Sequence, residues 1–510
     1  MNTVGSDFDV GAFIHISTAS GSLVGRRRGA VIAFKGIPYA KPPVGALRWR
    51  PPQRAPRWQG VRPALDLGPA PIQELPPRSS LLYRLNNDDS RALVMSEDCL
   101  YLNVWSPEPS PGTNLPVLVW IHGGANKTGH GGQDLFDGSR LAARGIVVVT
   151  VNMRLGALGF LALPELAAED SKGASGNYGA QDVVAALDWV QDNIASFGGD
   201  VTRVTIAGNS VGAATVTHLM AAPAARGLFR AALGQSLSGI FRPELRMATQ
   251  AEAAERGRTA VSSLGRSIEQ LRDLPATAFV PIASQGIIVD GRLLSEDTTD
   301  VFIAGRQARI PLLVGWNADE GSLYASPSAV DDLKLELHSE QAQSMLKQVY
   351  PYAYDKDGHG DRRALVGDRR FVYPVWRWAR THAETTGCPT WVYKFEHLPP
   401  LPDELPPPPD GGAGYGTFHT AELPYAWDNL GVRPWAWSDS DHVMAKNLAD
   451  TWGRFVATGD PNGNGLPKWD QFDSSHEHHL MVFGTTTKPG FASRREAFDI
   501  FDSMYFRTKQ

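Results

Sequence analysis

Val204-Thr205-Ile206-Ala207-Gly208-Asn209-Ser210-Val211-Gly212-Ala213-Ala214-Thr215-Val216 changes character at its centre. The first four residues suit a buried strand, the last four suit a helix, and Gly-x-Ser-x-Gly stands between them. A strand that turns sharply into a helix exposes the serine oxygen, and crowding at such a turn excludes side chains at Gly208 and Gly212. Alone the pentapeptide decides little, because a glycine-rich turn with a capping serine looks the same and the chain holds 51 glycines. The strand before it and the helix after it favour a nucleophilic Ser210.

The surrounding sequence repeats this alternation. Val117–His122 and Ile146–Asn152 read as buried strands, and Ile310–Gly315 as another. Between Gln181 and Phe197, the apolar residues Val183, Leu187, Val190, Ile194 and Phe197 recur at steps of four and three. They form one helix face that ends at Gly198 and Gly199. Met444, Leu448, Trp452 and Phe455 mark a second amphipathic helix, stopped by Thr458-Gly459-Asp460-Pro461-Asn462. Leu398–Gly416, dense in proline and glycine, reads as a surface loop leading to His419. Strands alternating with helices imply a large, mostly parallel sheet with helices on both faces, an α/β fold. At 510 residues the chain reads as a single catalytic domain, residues 1–510, grown by long loop insertions.

Composition excludes several classes. A net charge of -5 is not the basic balance that phosphate backbones require, so no nucleic acid partner is expected. The longest apolar runs are of strand length and too short to span a bilayer, so no membrane association is expected. Met1–Val10 carries two aspartates and no basic residue, unlike a secretory signal, which points to a cytoplasmic protein. Two distant cysteines, Cys99 and Cys388, neither demand a disulfide nor match a metal cluster. No metal and no organic cofactor are expected, and nothing in the sequence sets the oligomeric state.

A second chemical element is His122-Gly123-Gly124-Ala125, directly after a buried strand. Small residues there let backbone N–H groups approach a carbonyl oxygen that becomes negative during acyl transfer. A plain turn fits the same residues. A phosphate-binding loop fits less well, since neither a Walker pattern nor G-x-G-x-x-G occurs. Glu320 and His419 complete the chain order Ser, acid, His of the α/β-hydrolase fold. By default, however, Glu320 is a solvated turn residue and His419 is one histidine among 13.

The chain resembles the type-B carboxylesterase/cholinesterase family nearly end to end. The resemblance rests on Phe34-Lys35-Gly36-Ile37-Pro38-Tyr39-Ala40, Leu47-Arg48-Trp49-Arg50-Pro51-Pro52 and Ser96-Glu97-Asp98-Cys99-Leu100-Tyr101-Leu102-Asn103-Val104. Gly176-Asn177-Tyr178-Gly179 with Gln181-Asp182, Gly315-Trp316-Asn317 with Asp319-Glu320-Gly321, and His419 with Glu422-Leu423-Pro424-Tyr425 follow in family order. It implies a serine esterase with Ser210 as nucleophile, His419 as base and Glu320 as acid. It also implies an oxyanion hole from the N–H groups of Gly124, Ala125 and Val211, and Ser236 hydrogen-bonded to the triad acid. Glu97 with Arg48 and Asp182 with Arg154 are implied as structural pairs.

Four positions depart from the family pattern. Asn209 replaces the glutamate before the nucleophile, Val211 the alanine after it, and Asn126-Lys127 follows the oxyanion turn where phenylalanine is usual. Pro71 stands at the cysteine upstream of Cys99, so a local disulfide cannot form. No tryptophan lies between Trp58 and Trp105, which argues against a choline ester. Asn126-Lys127 suits a polar or anionic acyl group, although an exposed lysine is the commoner meaning. The partner is then a small-molecule ester. An amidase or carbamate hydrolase could use the same triad, and a non-catalytic adhesion module of the same fold is the rival from another class.

Overall fold

The computed structural model describes residues 12–87, 92–241, 246–336, 340–473 and 479–507. Among them, thirteen strands form one sheet. The N-terminal strands are β1 (Phe13–Thr18), β2 (Gly21–Arg28), β3 (Val31–Pro38), β4 (Val61–Pro63) and β5 (Tyr101–Ser106). The central strands are β6 (Leu115–Ile121), β7 (Val147–Val151), β8 (Gly199–Asn209), β9 (Ala231–Gln235) and β10 (Leu312–Asn317). β11 (Thr390–Phe395), β12 (His479–Phe483) and β13 (Thr487–Phe491) complete the set. The order is β1-β2-β3-β5-β7-β6-β8-β9-β10-β11-β12-β13, with β4 beside β2. From β7 to β12 every pairing is parallel; the flanking pairs β1-β2, β2-β3, β3-β5, β5-β7 and β12-β13 are antiparallel.

The apolar runs read as strands are buried on both faces, which is why they lack polar alternation. Along β6, Val117, Val119 and Ile121 join the core on one face, while Leu118 and Trp120 join the core on the other. Helices α1 (Tyr178–Asn193), α2 (Val211–Ala221) and α3 (Tyr373–Thr386) cover the first face. Helix α4 (Asp439–Thr458) covers the second through Met444, Leu448, Trp452 and Phe455. Ser438 opens α4 with a capping box to Asp441, and Gly459, at φ 78°, ends it in the left-handed conformation. The pairs implied between elements form: Arg48 grips Glu97 at 2.7 and 2.5 Å, and Arg154 grips Asp182 at 2.8 and 2.6 Å.

The predicted boundaries shift in places. β8 begins at Gly199, earlier than the predicted Val204, because its first half carries Asp200, Thr202 and Arg203, residues that hide a strand from a search for apolar runs. The helix predicted from Gln181 begins at Tyr178 and ends at Asn193; its last apolar residues, Ile194–Phe197, form a 3-10 turn closed by Gly198. Both cysteines are free thiols, and Cys99 is buried.

This topology gathers loops at one place. β6 is followed in sequence by its neighbour β7 on one side, whereas β8 lies on its other side. Connections therefore leave β6 and β8 in opposite directions, and a crevice opens at their C-terminal ends. Ile121 pairs with Gly208 in register, so the residues after each strand emerge side by side.

Candidate active site

Ser210 sits where β8 becomes α2, with φ 54° and ψ -128°, a conformation that L-residues rarely adopt. Its N–H donates to the Gln235 carbonyl at 2.7 Å, which fixes the turn against β9. A Cβ at Gly212 would lie 2.2 Å from the Ile121 carbonyl oxygen, so only glycine lets α2 start this close to β6. The side chain of Ser210 borders a cavity of about 550 Å³ that is also lined by Ala125 and Val211.

The turn after β6 carries the other main-chain donors. Gly124 has φ 111°, and Ala125 and Asn126 follow at 56° and 57°, so the chain coils tightly in left-handed territory. The Gly124 carbonyl accepts from the N–H groups of Lys127 and Thr128, both at 2.9 Å. Among the described residues the N–H groups of Gly124 and Ala125 have no protein acceptor. Val211 is the first residue of α2, where an N–H has no partner within the helix. His122 braces the turn: its Nδ1–H donates to the Gly123 carbonyl at 2.8 Å, and burial pushes its pKa down to about 4, so it stays neutral.

Glu320 follows β10 by three residues and opens a short 3-10 turn. The segment bearing His419 is hydrogen-bonded alongside it. The Asp319 N–H donates to the Thr417 carbonyl, the Thr417 N–H returns to Asp319 Oδ2, both at 2.9 Å, and Asp319 bridges Phe418. The proline-rich stretch upstream is a loop as predicted, pinned by Arg363, which donates to buried Asp410 at 2.7 Å. His419 Nδ1–H then donates to Glu320 Oε2 at 2.6 Å, with both side chains buried. Phe371 and Tyr324 pack on the imidazole, with ring centroids 4.6 and 5.6 Å away, and both also line the cavity that Ser210 borders. Among the described residues neither the Ser210 hydroxyl nor His419 Nε2 makes a hydrogen bond; such contacts are often long before substrate binds.

Ser236 corrects one expectation. Its hydroxyl accepts from Asn317 Nδ2 at 3.2 Å and makes no direct bond to Glu320. Glu320 Oε1 instead accepts from the Asn317 N–H at 2.8 Å, so Ser236 is one residue removed from the acid. Ser236 is anchored through its own N–H to the Gly315 carbonyl at 2.8 Å, and the Asn317 amide that reaches its hydroxyl also donates to Glu422.

A second buried carboxylate, absent from the sequence-based site, lies beside the first. Glu422 accepts from Asn317 Nδ2 at 2.5 Å, Gln235 Nε2 at 3.0 Å and Asn209 Nδ2 at 3.4 Å. Three amides and no cation hold it. Burial, together with the charge of Glu320, raises its pKa to about 7. Asn209 therefore meets an existing carboxylate as a donor, where a glutamate would have met it as a like charge. The sequence blocks contained Glu422 and Asn317 but nothing that joined them.

Among the described residues no group of three or more His, Cys, Asp or Glu side chains could hold a metal ion. No described helix is long and apolar enough to cross a membrane.

Known proteins share this arrangement of strands. The family model described as "Carboxylesterase family" matches residues 12–498. The chain is 35% identical to the fumonisin B1 esterase of Sphingopyxis macrogoltabida, over 93% of this chain and 87% of that protein. It is 33% identical to the para-nitrobenzyl esterase of Bacillus subtilis, over 92% and 94%. Among solved structures, the carboxylesterase EST55 of Geobacillus stearothermophilus superposes with a TM-score of 0.80 at 30% identity, covering 96% of this chain and 99% of that one. A PNB esterase gives 0.78 at 29% identity, with the same coverage. The chain belongs to the carboxylesterase family, and is an α/β-hydrolase that cleaves carboxylic esters.

Proposed function

We propose that Ser210, His419 and Glu320 form the triad of this carboxylesterase and act through an acyl-enzyme, within one catalytic unit. The observation that carries this is the buried 2.6 Å contact between His419 Nδ1 and Glu320 Oε2. With its proton on Nδ1, the imidazole keeps a lone pair on Nε2, the form a general base needs. His419 takes the Ser210 proton as the serine oxygen attacks the ester carbonyl. The N–H groups of Gly124, Ala125 and Val211 receive the resulting oxyanion, in a strained turn that holds them aimed before the reaction starts. Glu320 keeps the tautomer and stabilises the imidazolium. The alcohol departs with the proton from His419, and water, deprotonated by the same base, releases the acid.

Ser210→Ala should lower kcat/KM for 4-nitrophenyl butyrate by at least about 10³-fold, with an unchanged circular dichroism spectrum. A fluorophosphonate should label the parent protein on the peptide containing Ser210 and leave the variant unlabelled. Undiminished turnover in Ser210→Ala refutes the assignment.

A further inference from the structure

The cavity at Ser210 is charged against the trend of the chain. The whole sequence has 49 Lys and Arg against 54 Asp and Glu, yet the cavity is lined by Lys127, Arg246, Arg256 and Arg370 with Asp297 as the single acid. Asp297 is already engaged. It caps a helix by accepting from the Thr299 N–H at 2.8 Å, and it accepts from the Met247 N–H at 2.7 Å. Glu252, the acid whose charge reaches Arg246 and Arg256, is likewise held by the N–H and hydroxyl of Thr249, at 2.8 and 2.9 Å.

The four cations themselves are unspent. Among the described residues none of them forms an ion pair. Arg370 is held in place another way: its guanidinium lies over the rings of Tyr324 and Phe371, at 5.1 and 5.9 Å, the same two rings that pack on His419. Stacking fixes the plane of an arginine while leaving its N–H fork open to a ligand. Lys127 belongs to the turn that carries the oxyanion donors, and buried Asn126 beside it also lines the cavity. Four cations lining one cavity raise the local concentration of anionic substrates and penalise cationic ones.

We infer that the natural substrates are esters bearing an anionic group, carboxylate or phosphate, received by a subsite made of Lys127, Arg246, Arg256 and Arg370. This rests on Ser210 being the nucleophile, and the reaction is unchanged: water supplies the hydroxyl of the released acid and the proton of the released alcohol.

Three 4-nitrophenyl esters of equal chain length test it: the adipate half-ester, the 5-phosphonopentanoate and the neutral 6-methylheptanoate. At low ionic strength at least one anionic ester should have a kcat/KM about tenfold above the neutral one. Half a molar sodium chloride should cut that ratio to about threefold. Which anion is preferred separates carboxylate from phosphate recognition. Arg246→Gln, Arg256→Gln and Lys127→Gln should each lower the anionic-to-neutral ratio about twofold, and the triple variant should bring it near one. The ratio is insensitive to a general loss of folded enzyme. Anionic esters turned over no faster than the neutral one, or a ratio unmoved in the triple variant, overturn the subsite. Retained turnover of the neutral ester in Ser210→Ala is a separate result, and refutes the nucleophile instead.

Discussion

Glu422→Gln probes the buried pair of carboxylates behind His419, the proposed base. Glu422 is fully buried, held by three amides, and raised from an ordinary 4.5 to about 7, first by burial and then by the charge of Glu320. Below the unfolded value the carboxyl is neutral in both states, so the fold is undisturbed. As pH rises past it, the unfolded chain ionises while the folded chain holds its proton, and stability drains away until the folded group also ionises near 7. At about 1.4 kcal/mol per pH unit the whole loss is ~3 kcal/mol, of which ~2 kcal/mol falls between about pH 5.5 and about pH 8.5. Glutamine keeps the shape and removes the titration. Its new amide protons can be accepted by Asn317 Oδ1 or Gln235 Oε1, both buried and unpartnered, once those amides rotate. Urea unfolding at the two pH values is the assay. The stability of Glu422→Gln relative to the parent should rise by about 2 kcal/mol from the lower pH to the higher. A difference independent of pH would refute the buried environment, held by neutral amides beside Glu320, on which the sign rests.

Gly212→Ala places a methyl group 2.2 Å from the Ile121 carbonyl oxygen and 2.8 Å from that of His122. It should lower stability by about 1–3 kcal/mol and reduce kcat, read by urea midpoint and 4-nitrophenyl butyrate turnover. Asp182→Ala strands the Arg154 guanidinium, which is buried, and should destabilise by about 3–5 kcal/mol. A melting temperature within a degree of the parent would count against that pair.

How much of this was legible in the sequence followed from how local each feature is. The serine elbow and the oxyanion turn are each contiguous, a buried strand running into small residues, so both could be read with their flanking elements. Glu320 and His419 are single residues in polar loops, and their contact depends on an isolated bridge between Asp319 and Phe418; residue type and chain order could nominate them, and family resemblance was needed to choose them. The polar N-terminal strands such as Gly21–Arg28 lack the apolar runs that mark the central sheet, and their reading awaited the structure. The partner of Ser236 escaped for a related reason: alignment along the chain fixes where a hydroxyl sits but not that it meets the Asn317 amide.

The cavity lies at the far end of the same scale. Its cations come from position 127 on the oxyanion turn, 246 just before and 256 midway along the helix Gln250–Val261, and 370 in a π-helical turn before α3. Each alone is an ordinary exposed basic residue, and the sequence supplied only the hint of Lys127. Their meaning arises because parallel strands end on one side of the sheet, so that loops separated by more than a hundred residues face a single crevice. The same geometry that gathers the proposed triad from distant loops also gathers these distant charges around one cavity. For this reason chemistry can be inferred from motifs, whereas selectivity must be inferred from what the fold brings around them.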